Sequence, residues 1–250
     1  LTLPTIKTSD SFFGYIEEES LIEDGYKIPI YGVMGDSQAA LFAQACFEKG
    51  MAKATYGTGS SVLMNIGSLP IQPTSKSLVL ALGWKLKNDT AYALEGIIVS
   101  SGDTLKWARD NMGLFSSFEE LSQLTKSVPH SDGVYIIPGF NGLGAPYWNA
   151  NAKACIVGMN RSTTKAHILK ACLDAIALQI YDCVKLIEQE SSIQLKELRA
   201  DGGASKNVEL MQLQADYLQT NVKVPSIAEL SAFGAAYAGA LGCDFWTLEH

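Results

Sequence analysis

Three short glycine-bearing segments combine residue types that suit phosphoryl transfer. They are Gly35-Asp36-Ser37-Gln38, Tyr56-Gly57-Thr58-Gly59-Ser60-Ser61 and Asp201-Gly202-Gly203-Ala204-Ser205-Lys206-Asn207. Glycine has no Cβ, so backbone N–H groups can approach an anion closely at such positions. A carboxylate beside the anion can take a proton from a hydroxyl group. Together the segments predict a nucleotide phosphotransferase site.

Each segment also has a purely structural interpretation. Asp36 precedes a helical pattern, where aspartate is favoured as an N-cap, although its apolar lead-in and Gly35 also suit a site residue. The residues Gly57-Thr58-Gly59 fit either an ordinary hairpin turn or a turn that grips phosphate. The segment beginning at Asp201 fits a tight connection as well as a nucleotide loop. The sequence contains no P-loop motif. It also lacks a GxGxxG fingerprint, because residue 62 is not glycine.

Hydrophobic periodicity predicts the elements that position these segments. Strands are predicted at 28–34, 51–56, 61–66, 78–86, 91–94 and 198–200, and helices at 37–47, 103–111, 117–124, 163–189, 208–218 and 231–241. The helix at 163–189 has the clearest apolar stripe, whereas 138–147 is too irregular for either element. Strands that come first, with helices interleaved later, indicate an α/β or α+β domain with a mixed sheet.

Composition limits the classes of partner and compartment. A chain of 250 residues with 47% apolar content can bury a full core, and its net charge of −7 argues against a nucleic-acid surface. Five cysteines without CxxC spacing predict a reduced, cytoplasmic protein. No apolar run approaches the roughly 20 residues of a membrane span, and the chain does not begin with a signal-peptide pattern. His130 and His167 stand alone, which argues against a transition-metal site.

The three segments occur in this order along the chain, and between the second and the third lies Gly142-Leu143-Gly144-Ala145-Pro146-Tyr147-Trp148. Their residues and their order resemble the C-terminal half of the FGGY family of carbohydrate kinases, and within it the glycerol kinase branch. The resemblance runs from Leu3-Pro4 to Gly234-Ala235-Ala236-Tyr237. It implies an α/β fold of the ribonuclease H-like type, shared with actin, hexokinase and Hsp70, in which helices flank a mixed sheet. Residues 1–247 would then be a C-terminal domain without its N-terminal partner, and 248–250 resemble the start of a vector-derived tag.

The resemblance also implies roles for individual residues. Asp36 would be the catalytic base and lie near Mg²⁺, directly or through water. The residues implied to bind nucleotide are Gly57, Thr58 and Gly59 at the terminal phosphate, Gly202, Gly203 and Asn207 at the adenine and α-phosphate, and Gly102 on the opposite side. Lys106 stands where glycerol kinases usually carry Gln, and a lysine there either reaches a phosphate or points to solvent.

Two departures from the glycerol kinase pattern concern the acceptor. Ser37 replaces a Gln that contacts substrate, and Ser61 replaces a Phe that forms a pocket wall. Both changes make the pocket roomier and more polar, so a ketopentose such as xylulose, or another polyol, competes with glycerol. The resemblance also implies that most of the substrate contacts would come from the N-terminal half of the kinase.

We therefore expect an ATP- and Mg²⁺-dependent polyol or sugar kinase, homo-oligomeric when intact. This chain alone should bind nucleotide weakly and transfer no phosphate. Two alternatives remain. One is a sugar- or nucleotide-sensing module without turnover, and the other is an esterase with Ser37 as nucleophile. The esterase needs an Asp-x-x-His partner, which the sequence lacks.

Overall fold

A six-stranded mixed sheet forms the centre of the fold in this computed structural model, which describes residues 3–16, 27–227 and 229–248. The strands are β1 (Gly14–Tyr15), β2 (Pro29–Ile30), β3 (Met51–Tyr56), β4 (Ser60–Gly67), β5 (Val79–Lys85), β6 (Thr90–Ile98), β7 (Tyr135–Ile137), β8 (Cys155–Val157), β9 (Glu197–Asp201) and β10 (Val222–Lys223). The helices are α1 (Asp36–Ala43), α2 (Gly102–Asp110), α3 (Phe118–Lys126), α4 (Lys165–Ser191), α5 (Val208–Leu218) and α6 (Leu230–Gly242), with a 3-10 turn at Gly203–Lys206.

The order of strands in the central sheet is β10-β9-β3-β4-β6-β5. Strand β9 runs parallel to both β10 and β3, whereas β3, β4, β6 and β5 pair antiparallel, with β6 between β4 and the edge strand β5. Because β3 and β9 are parallel, the segments that follow them emerge at the same edge of the sheet. This arrangement confirms the predicted α/β class with a mixed sheet flanked by helices.

Helix α4 packs its apolar stripe against the sheet, as its periodicity predicted. Ile176, Ile180 and Ile187 are completely buried, and each contributes about 2 kcal/mol by leaving water. Gly96 of β6 permits this close approach, since a Cβ there would lie 2.2 Å from Cys183 Sγ of α4. Like the other helices in the described part of the chain, α4 lacks the sustained apolar stretch that a bilayer span needs.

Helix α6 lies close against α1 because its contact face consists of small residues. A Cβ on Gly234 would lie 1.9 Å from the carbonyl oxygen of Ala39 in α1, so only glycine allows this separation. The Ser231 hydroxyl donates a hydrogen bond to the backbone carbonyl of Asp36 (2.9 Å). The last helix therefore supports the first turn of α1.

The strand predicted at 28–34 is wrong over most of its length. Only Pro29–Ile30 are extended as a strand, and they pair with Gly14–Tyr15 in a separate two-stranded sheet. Gly32 ends the strand because its φ is +75°, and a Cβ on it would lie 2.2 Å from the carbonyl oxygen of Ala235. The chain thus reaches α1 through a turn packed under α6.

The five cysteines are free thiols in the structure. Cys46, Cys172 and Cys183 are buried, and burial raises the pKa of each thiol to about 12. These three side chains therefore act as small hydrophobic residues.

Candidate active site

Two cavities adjoin at the edge of the sheet where β3 and β9 end. The first, here called the carboxylate cavity, has a volume of about 260 Å³, and Asp36 and Lys53 are among the residues that line it. The second, the glycine cavity, has a volume of about 310 Å³ and is lined by Gly57, Gly102 and Gly203, among others.

Neighbouring residues of the same segments divide between the two cavities. Thr55 lines the carboxylate cavity and Tyr56 lines the glycine cavity. Gly202 and Gly203 divide in the same way. A molecule that occupied both cavities would therefore pass over the ends of β3 and β9.

Asp36 is the first residue of α1, and its carboxylate lies at the wall of the carboxylate cavity. The N-cap is Gly35, which has extended backbone angles, so the N-cap interpretation of Asp36 is wrong. One carboxylate oxygen, Oδ1, accepts a hydrogen bond from the Ser37 N–H (2.7 Å), and the side chain is exposed. Asp36 is consequently accessible to a molecule in the cavity.

Ser37 and Ser61 line the same cavity as Asp36. Both are half-buried, with Ser37 in the first turn of α1 and Ser61 on β4 opposite Thr55. The two positions at which the sequence departs from the glycerol kinase pattern are therefore brought together beside the candidate base.

A buried lysine in the carboxylate cavity was missed by the sequence analysis. Lys53 is 1% exposed, and its Nζ donates a hydrogen bond to Thr55 Oγ1 (2.7 Å). Burial lowers the pKa of Lys53, while the charges of Asp201, Glu95 and Asp36 act in the opposite direction. The alternation of β3 was the available signal, because residues 53 and 55 of one strand must share a face.

The carboxylates around Lys53 come from different elements. Asp201, at the end of β9, accepts a hydrogen bond from Gln44 Nε2 (2.7 Å). Glu95 lies on β6 and is half-buried, and burial raises its pKa, although Lys53 partly offsets the rise. Among the described residues, the lining of the carboxylate cavity thus combines one cation, Lys53, with the carboxylates of Asp36, Asp201 and Glu229.

The hairpin between β3 and β4 is held by the first turn of α2. The Gly57 carbonyl accepts from the Gly102 N–H (3.0 Å), and the Thr58 carbonyl accepts from the N–H groups of Ser101 (3.0 Å) and Asp103 (3.1 Å). A Cβ on Gly102 would lie 2.4 Å from the Gly57 carbonyl oxygen, and one on Gly59 would lie 2.5 Å from that of Ile98. The segment is a hairpin turn. Gly102 allows α2 to lie close against it, and Gly59 allows the turn to lie close against the end of β6.

Residues 202–207 form the opposite wall of the glycine cavity. Gly202 has a φ of +87°, and a Cβ on it would lie 2.6 Å from the Tyr56 carbonyl oxygen. A Cβ on Gly203 would meet no atom within 4 Å. Asn207 is the N-cap of α5, where its side chain accepts from the Leu210 N–H (2.9 Å). Asn207 supports this wall but does not line the cavity.

The remaining walls of the glycine cavity are part cationic and part apolar. Lys106 and Arg109 of α2 line it, and Arg109 forms an exposed ion pair with Asp110 (2.6 Å). The rings of Phe115 and Phe118 lie 6.3 Å apart and supply an apolar side. This combination suits a ligand with an anionic part and a flat apolar part.

The described residues that line the carboxylate cavity include no histidine. Nδ1 of His130 accepts from the Asp132 N–H (3.1 Å), and Nδ1 of His167 accepts from the Thr164 N–H (3.1 Å) at the start of α4. Both rings are thus used in local turns and caps, which argues against the esterase alternative for Ser37.

Comparison with known proteins places this fold in a class, the domains of sugar and polyol kinases. Residues 52–243 match the C-terminal domain of the FGGY family of carbohydrate kinases. The chain belongs to this family, as the sequence resemblance indicated.

Relatives in sequence and structure agree with this assignment. The chain is 45% identical to a glycerol kinase from Burkholderia ambifaria over 244 residues, which are 98% of this chain and 48% of that protein. It superposes on the crystal structure of Plasmodium falciparum glycerol kinase with ADP at a TM-score of 0.91 and 36% identity, covering 98% of this chain and 48% of that one. The chain therefore spans about half the length of the relatives it matches.

A xylulose kinase from Lactobacillus acidophilus shares the fold. Its TM-score is 0.84 at 20% identity, and the match covers 98% of this chain and 49% of that one. The fold is thus shared by a glycerol kinase and a xylulose kinase.

Proposed function

We propose that this chain is the nucleotide-binding C-terminal half of an ATP-dependent kinase that phosphorylates a hydroxyl group of glycerol or of a related polyol or sugar. The observation that carries the proposal is the junction of the two cavities at the ends of β3 and β9. The carboxylate of Asp36 lies on one side of this junction, and glycine-bearing loops lie on the other. Phosphoryl transfer requires this placement, because acceptor and nucleotide must meet end to end.

Asp36 is the proposed general base. Its exposed carboxylate takes the proton of the acceptor hydroxyl as that oxygen attacks the terminal phosphorus of ATP, and the bond from this phosphorus to the bridging oxygen breaks so that ADP leaves. The Thr58 hydroxyl and the backbone N–H groups of the hairpin bind the terminal phosphate oxygens, where charge develops during transfer. The hairpin is already fixed by α2, so these donors need little rearrangement.

The nucleotide occupies the glycine cavity in this proposal. Gly203 leaves open space, Gly102 and Gly202 allow the backbone to approach, and the exposed ring of Phe118 offers an apolar surface to the adenine. Lys106 lines the same cavity and is exposed, so its ammonium group can reach a phosphate of a nucleotide bound there.

The residues fit a magnesium ion bound in the usual way for kinases. Mg²⁺ is commonly held by one or two carboxylates together with substrate phosphates, and the accessible carboxylate of Asp36 meets that requirement. Among the described residues no cluster of three or more His, Cys, Asp or Glu forms a complete metal cage. When bound, Mg²⁺ neutralises phosphate charge.

The remaining parts of the proposal concern the intact kinase, by which we mean this chain together with the N-terminal domain that we propose precedes it. Closure of the two domains would exclude water, the competing acceptor for the phosphoryl group. A cytoplasmic location and a homo-oligomeric state stay predictions, as does the boundary of the C-terminal domain at residue 247.

A pentulose kinase is the second candidate, because Ser37 and Ser61 both line the carboxylate cavity. Two hydroxyl groups beside Asp36 can satisfy an additional hydroxyl of a larger acceptor.

The test is ADP release by the intact kinase with ATP, Mg²⁺ and a panel of glycerol, xylulose, ribulose and erythritol. Preference for glycerol would make the two serines tolerated variations. Preference for a ketopentose would make them specificity determinants. ATP binding without turnover on any acceptor would favour the sensing module and contradict the proposed kinase.

A further inference from the structure

Lys53 is the one cationic side chain among the described residues that line the carboxylate cavity. It lies on β3, in the middle of the sheet, and only 1% of it is exposed. A lysine in this position has lost most of its hydration, which is costly for an ammonium group unless other charges or donors compensate.

The compensation for Lys53 is incomplete within the described part of the chain. Its Nζ donates to Thr55 Oγ1 (2.7 Å) and forms no ion pair with a carboxylate of those residues. An ammonium has three N–H donors, so Thr55 does not satisfy the group. A lysine retained only for stability would normally have a direct anionic partner.

The anionic groups that influence Lys53 surround the cavity. Asp201 and Asp36 line it, and Glu95 belongs to β6, one strand beyond β4. In order of effect, Asp201, Glu95 and Asp36 favour the charged form of Lys53 and so oppose the lowering of its pKa by burial. The ammonium therefore lies within electrostatic reach of carboxylates on three different elements.

The entry of a phosphoryl group makes this charge balance important. A terminal phosphate and the carboxylate of Asp36 repel each other, and the repulsion strengthens as water leaves the cavity. A fixed positive charge beside both groups reduces that repulsion without having to reorganise. Lys53 is fixed in this way, because the Thr55 hydroxyl holds Nζ at the cavity wall.

We propose that Lys53 is a positioning residue for phosphoryl transfer, which offsets the negative charge of the carboxylate cavity when the acceptor hydroxyl and the terminal phosphate meet beside Asp36. This inference rests on the proposed kinase function. It goes beyond that function by assigning a role to a strand residue that lies outside all three glycine-bearing segments.

Three variants of the intact kinase test the role. In Lys53→Met, which keeps an unbranched side chain one atom shorter and removes the charge, kcat should fall by about 10²-fold while the Kd for ADP changes less than twofold. Lys53→Arg keeps a cation and should recover at least about tenfold of the lost kcat. Lys49→Met changes an exposed lysine just before β3 and should match the wild type.

A fourth variant covers the case in which Lys53→Met fails to fold. Thr55→Val removes the hydroxyl that holds Nζ but retains the charge, so kcat should fall by about tenfold with unchanged ADP affinity, while the loss of this hydrogen bond lowers the melting temperature without unfolding the protein. Wild-type kcat in a folded Lys53→Met or Thr55→Val variant would overturn the inference. So would equal losses in the methionine and arginine variants. An absence of turnover by the wild-type kinase would instead overturn the proposed function, and this inference with it.

Discussion

Gly202 and Gly203 are consecutive residues with opposite steric surroundings. A Cβ on Gly202 would lie 2.6 Å from the Tyr56 carbonyl oxygen, whereas one on Gly203 would meet no atom within 4 Å. The first glycine is required by packing, and the second faces the open glycine cavity. Substitutions at the two positions therefore separate the stability of the loop from its ability to bind a ligand.

Gly203→Leu should weaken nucleotide binding without unfolding the protein. The leucine side chain would project into the cavity proposed for ATP, so the Kd for ADP should rise by about tenfold or more, as measured by isothermal titration calorimetry on the intact kinase. Gly203→Ala is the control and should retain most of the affinity. Gly202→Ala should instead lower stability by at least about 1 kcal/mol, because its φ is +87°. Full ADP affinity in Gly203→Leu would place the nucleotide elsewhere.

Asp36→Asn should reduce kcat of the intact kinase by on the order of 10²-fold or more, because an amide cannot take the proton from the hydroxyl group of the substrate. ADP affinity should stay close to that of the wild type, because Asp36 lines the other cavity. Asp216→Asn, an exposed change on α5, is the matched control. Steady-state kinetics with unchanged kcat would remove Asp36 from the mechanism.

Ser61→Phe should narrow the carboxylate cavity and disfavour larger acceptors. We expect kcat/KM for a ketopentose to fall by about tenfold more than kcat/KM for glycerol, a difference of about 1.4 kcal/mol. Ser61→Ala removes the hydroxyl without adding volume and separates loss of polarity from loss of space. An equal fall for all acceptors would show that Ser61 does not select the substrate.

Glu95→Gln should change how stability depends on pH. Burial raises the pKa of Glu95, so the native state holds this proton more tightly than the unfolded state does. The wild type should therefore lose stability as the pH rises from about 4.5 through the native pKa. Gln cannot ionise, so the melting temperature of the variant relative to the wild type should increase from pH 4.5 to 7.

Glu120→Gln is a control of opposite sign for that experiment. Hydrogen bonds from Ser116 lower the pKa of Glu120 to about 2, so its contribution to stability is present above pH 4.5 and is lost as the pH falls through about 2. The relative melting temperature of this variant should therefore be lower at pH 7 than near pH 2. If the difference in melting temperature between Glu95→Gln and the wild type were constant across the pH range, the raised pKa of Glu95 would be contradicted.

The elements that sequence predicts well are those whose pattern is local. Helix α4 has a long apolar stripe, and the β3–β4 hairpin has glycine at its turn, so both lie within two residues of the predicted positions. The strand at 28–34 fails because a tertiary contact under α6 imposes the backbone of Gly32. Trp148 and Trp246 are 51% and 49% exposed, which the apolar character of the residue does not indicate.

For the candidate site, too, the sequence predicts the parts that have a local pattern. The glycine-bearing segments mark their own positions, and the structure brings nine of the predicted residues to the two cavities: Asp36, Ser37, Ser61, Gly57, Thr58, Gly102, Lys106, Gly202 and Gly203. Gly59 and Asn207 lie outside both linings, and their nucleotide-binding roles stay predictions. Lys53 was missed because its surroundings are created by pairing with distant strands.

The support of α1 by α6 makes the candidate base dependent on the far end of the chain. Ser231 bonds the backbone of Asp36 across 195 positions of sequence, and Gly234 lies directly against Ala39. A premature stop between residues 208 and 230 would leave all three glycine-bearing segments intact but remove the surface on which Asp36 rests. During synthesis, these segments can therefore be complete while Asp36 still lacks its support, and the carboxylate cavity is completed only when α6, which supplies Leu230 and Ser231 to its lining, has docked.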